Sequence, residues 1–293
     1  MRSFARWVAA RKSLVVSATS ASVIAIMVAT VAIVSGGYTA QHMDLNDGSV
    51  WVANGGAHVI GRANTQVLAL DTVVASAGTE IDVVQHGASV LLVDRTDSKV
   101  DIVDPATSQV QDTVPLPPGN PDIFLADESV VVVARGTGQV WVMPKADLVH
   151  FDSQSPPTLS LGKDAVVSVS HDGVLVGYSS EAHKVYRLVL NTPGSTPETF
   201  DSGLGDSNAA VTVTSIGEHW VLLDARSRTL SLDGRLFDLS SLIGEGGSPV
   251  LQQPSTDGSR VFVGFDEGIV SLPVSGGTPR ILLDGQSGFP AAP

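Results

Sequence analysis

The chain has 293 residues, 43% of them hydrophobic and 16% charged, with 29 glycines and 16 prolines, a composition typical of many short strands joined by tight turns rather than of a helical protein. It contains no cysteine, which excludes disulfide bonds, thiolate metal sites and cysteine nucleophiles. The formal net charge of -13 argues against nucleic acid as a partner, because an acidic surface repels the phosphate backbone.

The N-terminal segment is basic and then strongly apolar. Residues 1–12 form a basic tail without an acidic residue, and residues 13–36 carry no charge. As a helix, the stretch from Leu14 to Val34 would span about 31 Å, which matches the hydrocarbon core of a bilayer. The sequence therefore predicts a transmembrane signal-anchor helix at residues 13–36, followed by a linker at residues 37–45.

The charges beside this helix predict its orientation. The preceding cations are Arg2, Arg6, Arg11 and Lys12. Cationic residues next to a membrane helix stay on the cytoplasmic side, so we expect a single-pass protein of the cell membrane with a cytoplasmic N-terminus and an extracytoplasmic body. A cleaved signal peptide, with small-residue sites at residues 30–32 and 35–37, is the alternative and also exports the body.

The region 46–284 repeats a unit of about 40 residues, in which a run of β-branched residues, a polar turn and an alternating strand follow one another. The central strands of six copies begin near Val50, Val90, Val130, Val174, Trp220 and Val261. A four-stranded sheet cannot bury both faces alone, so successive sheets must stack, and a ring leaves few exposed edges. We predict an all-β protein, a β-propeller of six four-stranded blades, and leave a seventh open in the irregular residues 191–208.

The end of the repeat region bears on how the ring closes. Propellers close by pairing strands from the two chain ends, and residues 278–284 (TPRILLD) are the candidate for that closing strand. The final residues, 285–293, contain Gly, Pro and Ala and are interpreted as a tail or a linker.

Two of the units resemble a known class of repeat. SVWVAN from Ser49 to Asn54 and VDIVDPAT from Val100 to Thr107 are similar to the YVTN or NHL type of β-propeller repeat, over roughly residues 45–145. The resemblance implies a propeller that binds proteins or other ligands, although a minority of these families are lactonases and lyases. The order of anchor and repeats also resembles the N-terminal region of large actinobacterial surface proteins with fibronectin type III domains.

Three histidines are the candidate site residues. They are His86, His171 and His219, and each stands just before a central strand, where other copies of the repeat carry aspartate. Equivalent positions converge on one face of a ring, so one hypothesis is a polar cluster at the propeller mouth that supplies a general base or a metal ligand. The alternative is that they are solvated turn residues, since His and Asp are common where hairpins turn.

Other chemical motifs are sparse. Four aspartates, Asp94, Asp97, Asp101 and Asp104, lie close together and suggest calcium, but the glycine and terminal glutamate of an EF-hand are missing. The sequence has no nucleophile elbow, P-loop, dinucleotide fingerprint or zinc helix motif. No catalytic residue, metal or cofactor is therefore assigned.

The sequence favours a non-enzymatic binding or scaffold module at the cell envelope, held in the membrane by residues 13–36 and presenting the propeller to a protein or a glycan. A propeller enzyme is the first alternative, either a lactonase-like hydrolase or a lyase similar to streptogramin lyase, whose repeats carry phrases such as VIGR at residues 59–62. The second alternative is the membrane-proximal part of a larger fibronectin type III surface protein.

Overall fold

The computed structural model describes residues 49–64, 69–170, 172–192, 194–205, 211–244, 247–255, 257–266 and 268–284. Within these ranges, no helix has both the length and the apolar character needed to cross a membrane. The predicted basic tail, anchor helix and linker lie outside the described residues, as does the predicted tail at 285–293.

The described residues form six antiparallel sheets, numbered in chain order. Sheet 1 contains β1 (Ser49–Asn54), β2 (Val59–Asn64) and β3 (Ala69–Ala75). Sheet 2 contains β4 (Ile81–His86), β5 (Ser89–Asp94), β6 (Lys99–Asp104) and β7 (Gln109–Pro115). Sheet 3 contains β8 (Asp122–Ala126), β9 (Ser129–Ala134), β10 (Gln139–Pro144) and β11 (Leu159–Ser160).

The second half of the chain repeats this arrangement. Sheet 4 contains β12 (Val166–Val169), β13 (Val174–Ser179), β14 (Lys184–Val189) and β15 (Glu198–Asp201). Sheet 5 contains β16 (Val211–Ile216), β17 (His219–Asp224), β18 (Thr229–Leu232) and β19 (Arg235–Asp238). Sheet 6 contains β20 (Val250–Leu251), β21 (Arg260–Phe265), β22 (Gly268–Pro273) and β23 (Arg280–Asp284). Two short 3₁₀ helices, Gly55–Ala57 and Lys145–His150, interrupt the turns.

Each sheet is a meander whose strands pair in sequence order. The first strands of sheets 2 to 6 contact one another in succession, from β4 through β8, β12 and β16 to β20. This arrangement confirms the prediction of an all-β protein with six antiparallel sheets and is that of a six-bladed propeller. Among the described residues of the irregular stretch 191–208, Glu198–Asp201 forms β15, the outer strand of sheet 4, and none belongs to a seventh sheet.

The candidate closing strand lies at the outer edge of sheet 6. Residues Arg280–Asp284 form β23, which pairs with β22 as the outer strand of sheet 6 and therefore does not close the ring. By its place in the repeat, β1 corresponds to the second strand of the other sheets, so the innermost strand of sheet 1 is missing from the described ranges. On that inner side, the Trp51 amide donates instead to the Gln85 side chain of sheet 2, at 3.1 Å.

The core lies between consecutive sheets rather than within any one of them. Five apolar clusters fill the interfaces from sheet 1 with sheet 2 to sheet 5 with sheet 6. Strand β9 shows the cause, because all six of its residues are buried. Val130 and Val132 pack toward sheet 2, while Val131 and Val133 pack toward sheet 4. A strand buried on both faces is an uninterrupted apolar run instead of an alternating one.

The turns between the second and third strands share one backbone geometry. The last turn residue has a positive φ, between 49° and 68°, in five sheets: His58, Ser98, Gly138, His183 and Arg228. Its carbonyl oxygen accepts a hydrogen bond of 2.8 to 3.1 Å from the amide that follows the outer strand of the same sheet. The left-handed residue therefore fixes the outer strand as well as the turn.

We predict that Gly138→Ala destabilises the protein by about 2–4 kcal/mol, since the left-handed φ of 68° strains alanine and its Cβ would overlap the carbonyl oxygen of Gly162. Gly136→Ala, in the same turn, is the control, because open space surrounds that position, and its cost should stay within about 0.5 kcal/mol. Chemical denaturation of both variants measures the difference. Equal stability losses would contradict the turn geometry described above.

Candidate functional site

The turns between first and second strands all lie at one end of the sheets, called the upper face below. Because each sheet is an antiparallel meander, the connections between third and fourth strands return to the same end. The upper face therefore carries the described residues that are equivalent to the predicted histidines, and the opposite end, the lower face, carries the left-handed turns.

The structure places two of the three predicted histidines in turns of non-neighbouring sheets. His86 is the half-buried last residue of β4 in sheet 2, and His219 is the exposed first residue of β17 in sheet 5. His171 lies outside the described residues. The described part of the chain contains no group of three His, Asp or Glu residues able to hold a metal ion. The histidine cluster stays a prediction and gains no support from His86 and His219.

His219 has an acidic partner that the sequence analysis missed. Its Nδ1 lies 2.5 Å from Oδ2 of Asp233, whose other oxygen accepts the Trp220 amide at 3.0 Å. Asp233 and Gly234 form the two-residue turn between β18 and β19, with φ values of 48° and 82°. An Asp-Gly pair between apolar strands is a strong hairpin signal, so this residue was predictable. The pair orients the imidazole, whose side chain is 48% exposed.

The cluster of aspartates considered for calcium has a different role. Asp94 is fully buried, and its carboxylate accepts the Asp97 amide at 3.1 Å and the Ser76 hydroxyl at 3.1 Å. The Lys99 ammonium lies 3.7 Å from Asp94 and 3.4 Å from Asp97. Burial lowers the pKa of Lys99, but the charges of Asp101 and its neighbours outweigh burial and raise it overall. These carboxylates therefore neutralise a lysine.

A cleft of about 390 Å³ opens between sheets 2 and 3 near the upper face. Its floor is apolar and is formed by Leu91, Ile102, Leu125, Val130 and Leu148. Its polar lining comes from Ser89, Asp104, Gln111 and Lys145. Known ligand sites of this kind combine an apolar floor with a few polar groups in a volume of roughly 300–1,000 Å³.

One wall of the cleft is the connection between β10 and β11. It begins with the 3₁₀ helix Lys145–His150, from which Leu148 enters the core between sheets 2 and 3 and is 1% exposed. Phe151 packs edge-on against Trp141, with ring centroids 5.6 Å apart, and the Trp141 indole donates to the Ser155 carbonyl at 2.9 Å. These contacts fix the wall in place.

Lys145 provides the cation of the cleft. Its Nζ lies 3.3 Å from the Ser89 hydroxyl and 3.5 Å from Oε1 of Glu128. The Lys145 side chain is only 22% exposed, whereas that of Glu128 is 84% exposed. An ammonium group has three donors. The acidic partner of this cation is almost entirely in solvent.

Asp104 is held in the ionised state. Its carboxylate accepts the Ala106 amide at 2.8 Å and the Thr107 hydroxyl at 2.9 Å. These hydrogen bonds, first that of Ala106, lower the pKa of Asp104 below its usual range. Neither Lys145 nor the place of Asp104 in the lining of the cleft was predicted from the sequence. The longer spacing of 44 residues between the third and fourth repeats was the available signal, since it marks the inserted connection.

A second, more polar groove of about 520 Å³ lies between sheets 3 and 4 near the lower face. Its lining includes Thr137, Gln139, Ser160, Glu181 and Tyr186. The Thr137 hydroxyl is directed at its neighbour Gln139, at 3.2 Å. The groove therefore offers hydroxyl and amide groups without a cation.

The comparisons with known proteins bear on the fold. No family model matches the sequence, and no curated protein matches it. Among solved structures, Hsv2 of Kluyveromyces lactis superposes with a TM-score of 0.57 at 16% identity, covering 78% of this chain and 72% of the other. A streptogramin B lyase superposes with a TM-score of 0.56 at 12% identity, covering 87% of this chain and 84% of the other.

The protein has a β-propeller fold. A third similar structure, described as a complex of KlAtg21 with the coiled coil of AgAtg16, superposes with a TM-score of 0.55 at 11% identity and covers 79% of this chain and 78% of the other. At such identities the similarity establishes the fold alone. The propeller implied by the YVTN or NHL resemblance is confirmed, while membership of those families and the fibronectin type III relationship are not shown.

We predict that Asp257→Ala lowers stability at neutral pH but not in strong acid. Asp257 occupies the upper-face turn of sheet 6, and hydrogen bonds from Ser255 and Ser259 lower its pKa from 3.8 to about 2. A depressed folded-state pKa contributes stability above pH 3.8, and this contribution is lost as the pH falls through about 2. Urea denaturation at pH 7, 4 and 2 measures the change.

Asp257→Asn is the control for this experiment, because it keeps an acceptor but cannot titrate. Its stability difference from the wild type should also shrink toward pH 2. A loss in Asp257→Ala that is independent of pH would show that the carboxylate contributes no charge-dependent stability.

Proposed function

We propose that this chain is a membrane-anchored, extracytoplasmic β-propeller that acts as a non-enzymatic binding module at the cell envelope, and that the cleft between sheets 2 and 3 is its ligand site. The observation that carries the proposal is the combination of an apolar floor with one cation, Lys145, whose side chain is 22% exposed. Its acidic partner Glu128 is 84% exposed, so a ligand anion can complete the environment of the ammonium.

The position of the cleft supports a binding role. The 3₁₀ helix Lys145–His150 belongs to a connection between strands, while the floor belongs to sheets buried on both faces. Binding residues commonly lie on loops that a rigid scaffold positions. The wall can therefore differ between related propellers without disturbing the core.

Membrane anchoring is supported by the sequence alone. The uncharged residues 13–36 are long enough to span a bilayer, and the four cations before them favour a cytoplasmic N-terminus. Anchoring would hold the propeller at the envelope surface, where a protein or a glycan is the available partner. The polar groove between sheets 3 and 4 suits a glycan better than the cleft does, because its lining offers hydroxyl and amide groups.

A propeller enzyme is the second candidate function. The His219–Asp233 pair favours it, since an aspartate that orients an imidazole is part of many general-base arrangements. Similarity to a streptogramin B lyase is compatible with that candidate but concerns the fold. The pair lies in sheet 5, away from the cleft between sheets 2 and 3, so the binding role is the better supported of the two. The hypothesis that this chain is the membrane-proximal part of a larger fibronectin type III surface protein rests only on the order of anchor and repeats.

We predict that cysteine labelling will find the propeller outside the cytoplasm and the N-terminus inside it. The cysteine-free chain is a clean background for this experiment. In intact cells a membrane-impermeant maleimide should label Ser275→Cys, in an exposed turn of sheet 6, and should label Ser3→Cys only after the membrane is permeabilised. Labelling of Ser3→Cys in intact cells, or protection of Ser275→Cys, would contradict the proposed orientation. Loss of the Ser3→Cys segment from the mature protein would identify a cleaved signal peptide instead.

We predict that filling the cleft abolishes ligand binding. Ala146 is exposed on the wall of the cleft, so Ala146→Trp should occupy it and remove saturation-transfer NMR signals from six-carbon probes with alcohol, amine and carboxylate head groups. Ala182→Trp, at an exposed position in the groove between sheets 3 and 4, is the matched control and should leave these signals unchanged. Signals that survive in Ala146→Trp would place the ligand site elsewhere.

A further inference from the structure

We propose that the cleft binds an aliphatic monocarboxylate, whose carboxylate replaces Glu128 at the Lys145 ammonium and accepts a hydrogen bond from Ser89, while its alkyl chain lies on the apolar floor. This inference rests on the proposed function, since it names the ligand class of the same site.

The single cation of the cleft attracts a carboxylate. Lys145 is the one cation among the residues that line it, in a protein whose formal charge is -13. The Lys145 side chain is 22% exposed, so its ammonium is held beside the cleft rather than extended freely into solvent as in a surface lysine. The Ser89 hydroxyl, 3.3 Å from Nζ, is a second donor available to the same anion.

Glu128 shows how a carboxylate sits at this lysine. Its Oε1 lies 3.5 Å from Nζ, which is an ion pair without a close hydrogen bond. Because the Glu128 side chain is 84% exposed, it can turn into solvent at little cost, as solvent-exposed ion pairs contribute little. A ligand carboxylate can therefore take its place, and Glu128 acts as an internal competitor.

Asp104 restricts the ligand to a single carboxylate. It lines the same cleft, and its hydrogen bonds to Ala106 and Thr107 keep it ionised. A second anionic group on the ligand would be repelled by this fixed negative charge. A dicarboxylate of the same length should therefore bind more weakly than a monocarboxylate.

The floor selects an aliphatic chain. Leu91, Val130 and Leu148 form its base but are each at most 3% exposed, so the half-buried Ile102, which packs against them, is the more accessible part of the floor. Each methylene group placed on such a surface strengthens binding by about three- to fourfold. Affinity should therefore rise from butyrate to hexanoate by about tenfold.

The test is saturation-transfer NMR on the full chain in lipid nanodiscs, with empty nanodiscs as the blank. Hexanoate should bind at least about tenfold more tightly than hexanol or hexylamine, and more tightly than the dicarboxylate adipate. Lys145→Gln should weaken hexanoate binding about tenfold and leave hexanol unaffected. Glu128→Gln should tighten it by roughly two- to fivefold, because the competitor loses its charge.

Lys163→Gln is the matched control, since Lys163 is an exposed lysine in the connection from sheet 3 to sheet 4 and should leave hexanoate binding unchanged. Equal binding of hexanoate and hexanol, or an unchanged affinity in Lys145→Gln, would overturn the carboxylate inference and leave the cleft as a binding site. Absence of binding by every probe would overturn both this inference and the proposed function.

Discussion

Packing of each sheet against the next is the interaction on which this structure depends. The second strand of sheets 2 to 5 is buried on both faces, and β9 contributes valines to two different interfaces, whereas β21 of sheet 6 alternates between buried and half-buried residues. No sheet has a core of its own, so each is stable only beside the next, as in other repeat folds. The cleft between sheets 2 and 3 arises where the inserted 3₁₀ helix Lys145–His150 enters such an interface at its upper end.

Polar residues enter these interfaces in matched positions. The residue after an outer strand is serine in two sheets, Ser76 and Ser202, and in both cases the next sheet ends its second strand with a buried aspartate, Asp94 or Asp224. At the other three interfaces the first position is leucine and the second is never acidic: Leu116 with Ala134, Leu161 with Ser179, and Leu239 with Phe265. A buried carboxylate needs a donor, and leucine cannot supply one. The two positions therefore change together from one interface to the next.

The sequence predicted the sheets well because their cause is local. Runs such as Val130 to Val133 reveal a strand buried on both faces, and the 40-residue spacing reveals how often it recurs. Closure of the ring stayed open at the level of sequence, since β23 looks the same in sequence whether it pairs with β22 or with a distant strand. The site could not be predicted, because the pairing of Lys145 with Ser89 joins residues 56 apart in the chain. His219 was identified without its partner Asp233.

Binding of an aliphatic carboxylate in the cleft between sheets 2 and 3 is tested most directly by a crystal structure of the protein grown with 6-bromohexanoate, in which anomalous scattering locates the bromine. We expect one bromine peak over Leu91 and Leu148, a carboxylate at Lys145 Nζ and a Glu128 side chain turned into solvent. Bromine outside the cleft, or a Glu128 that stays on Lys145 beside bound ligand, would contradict it.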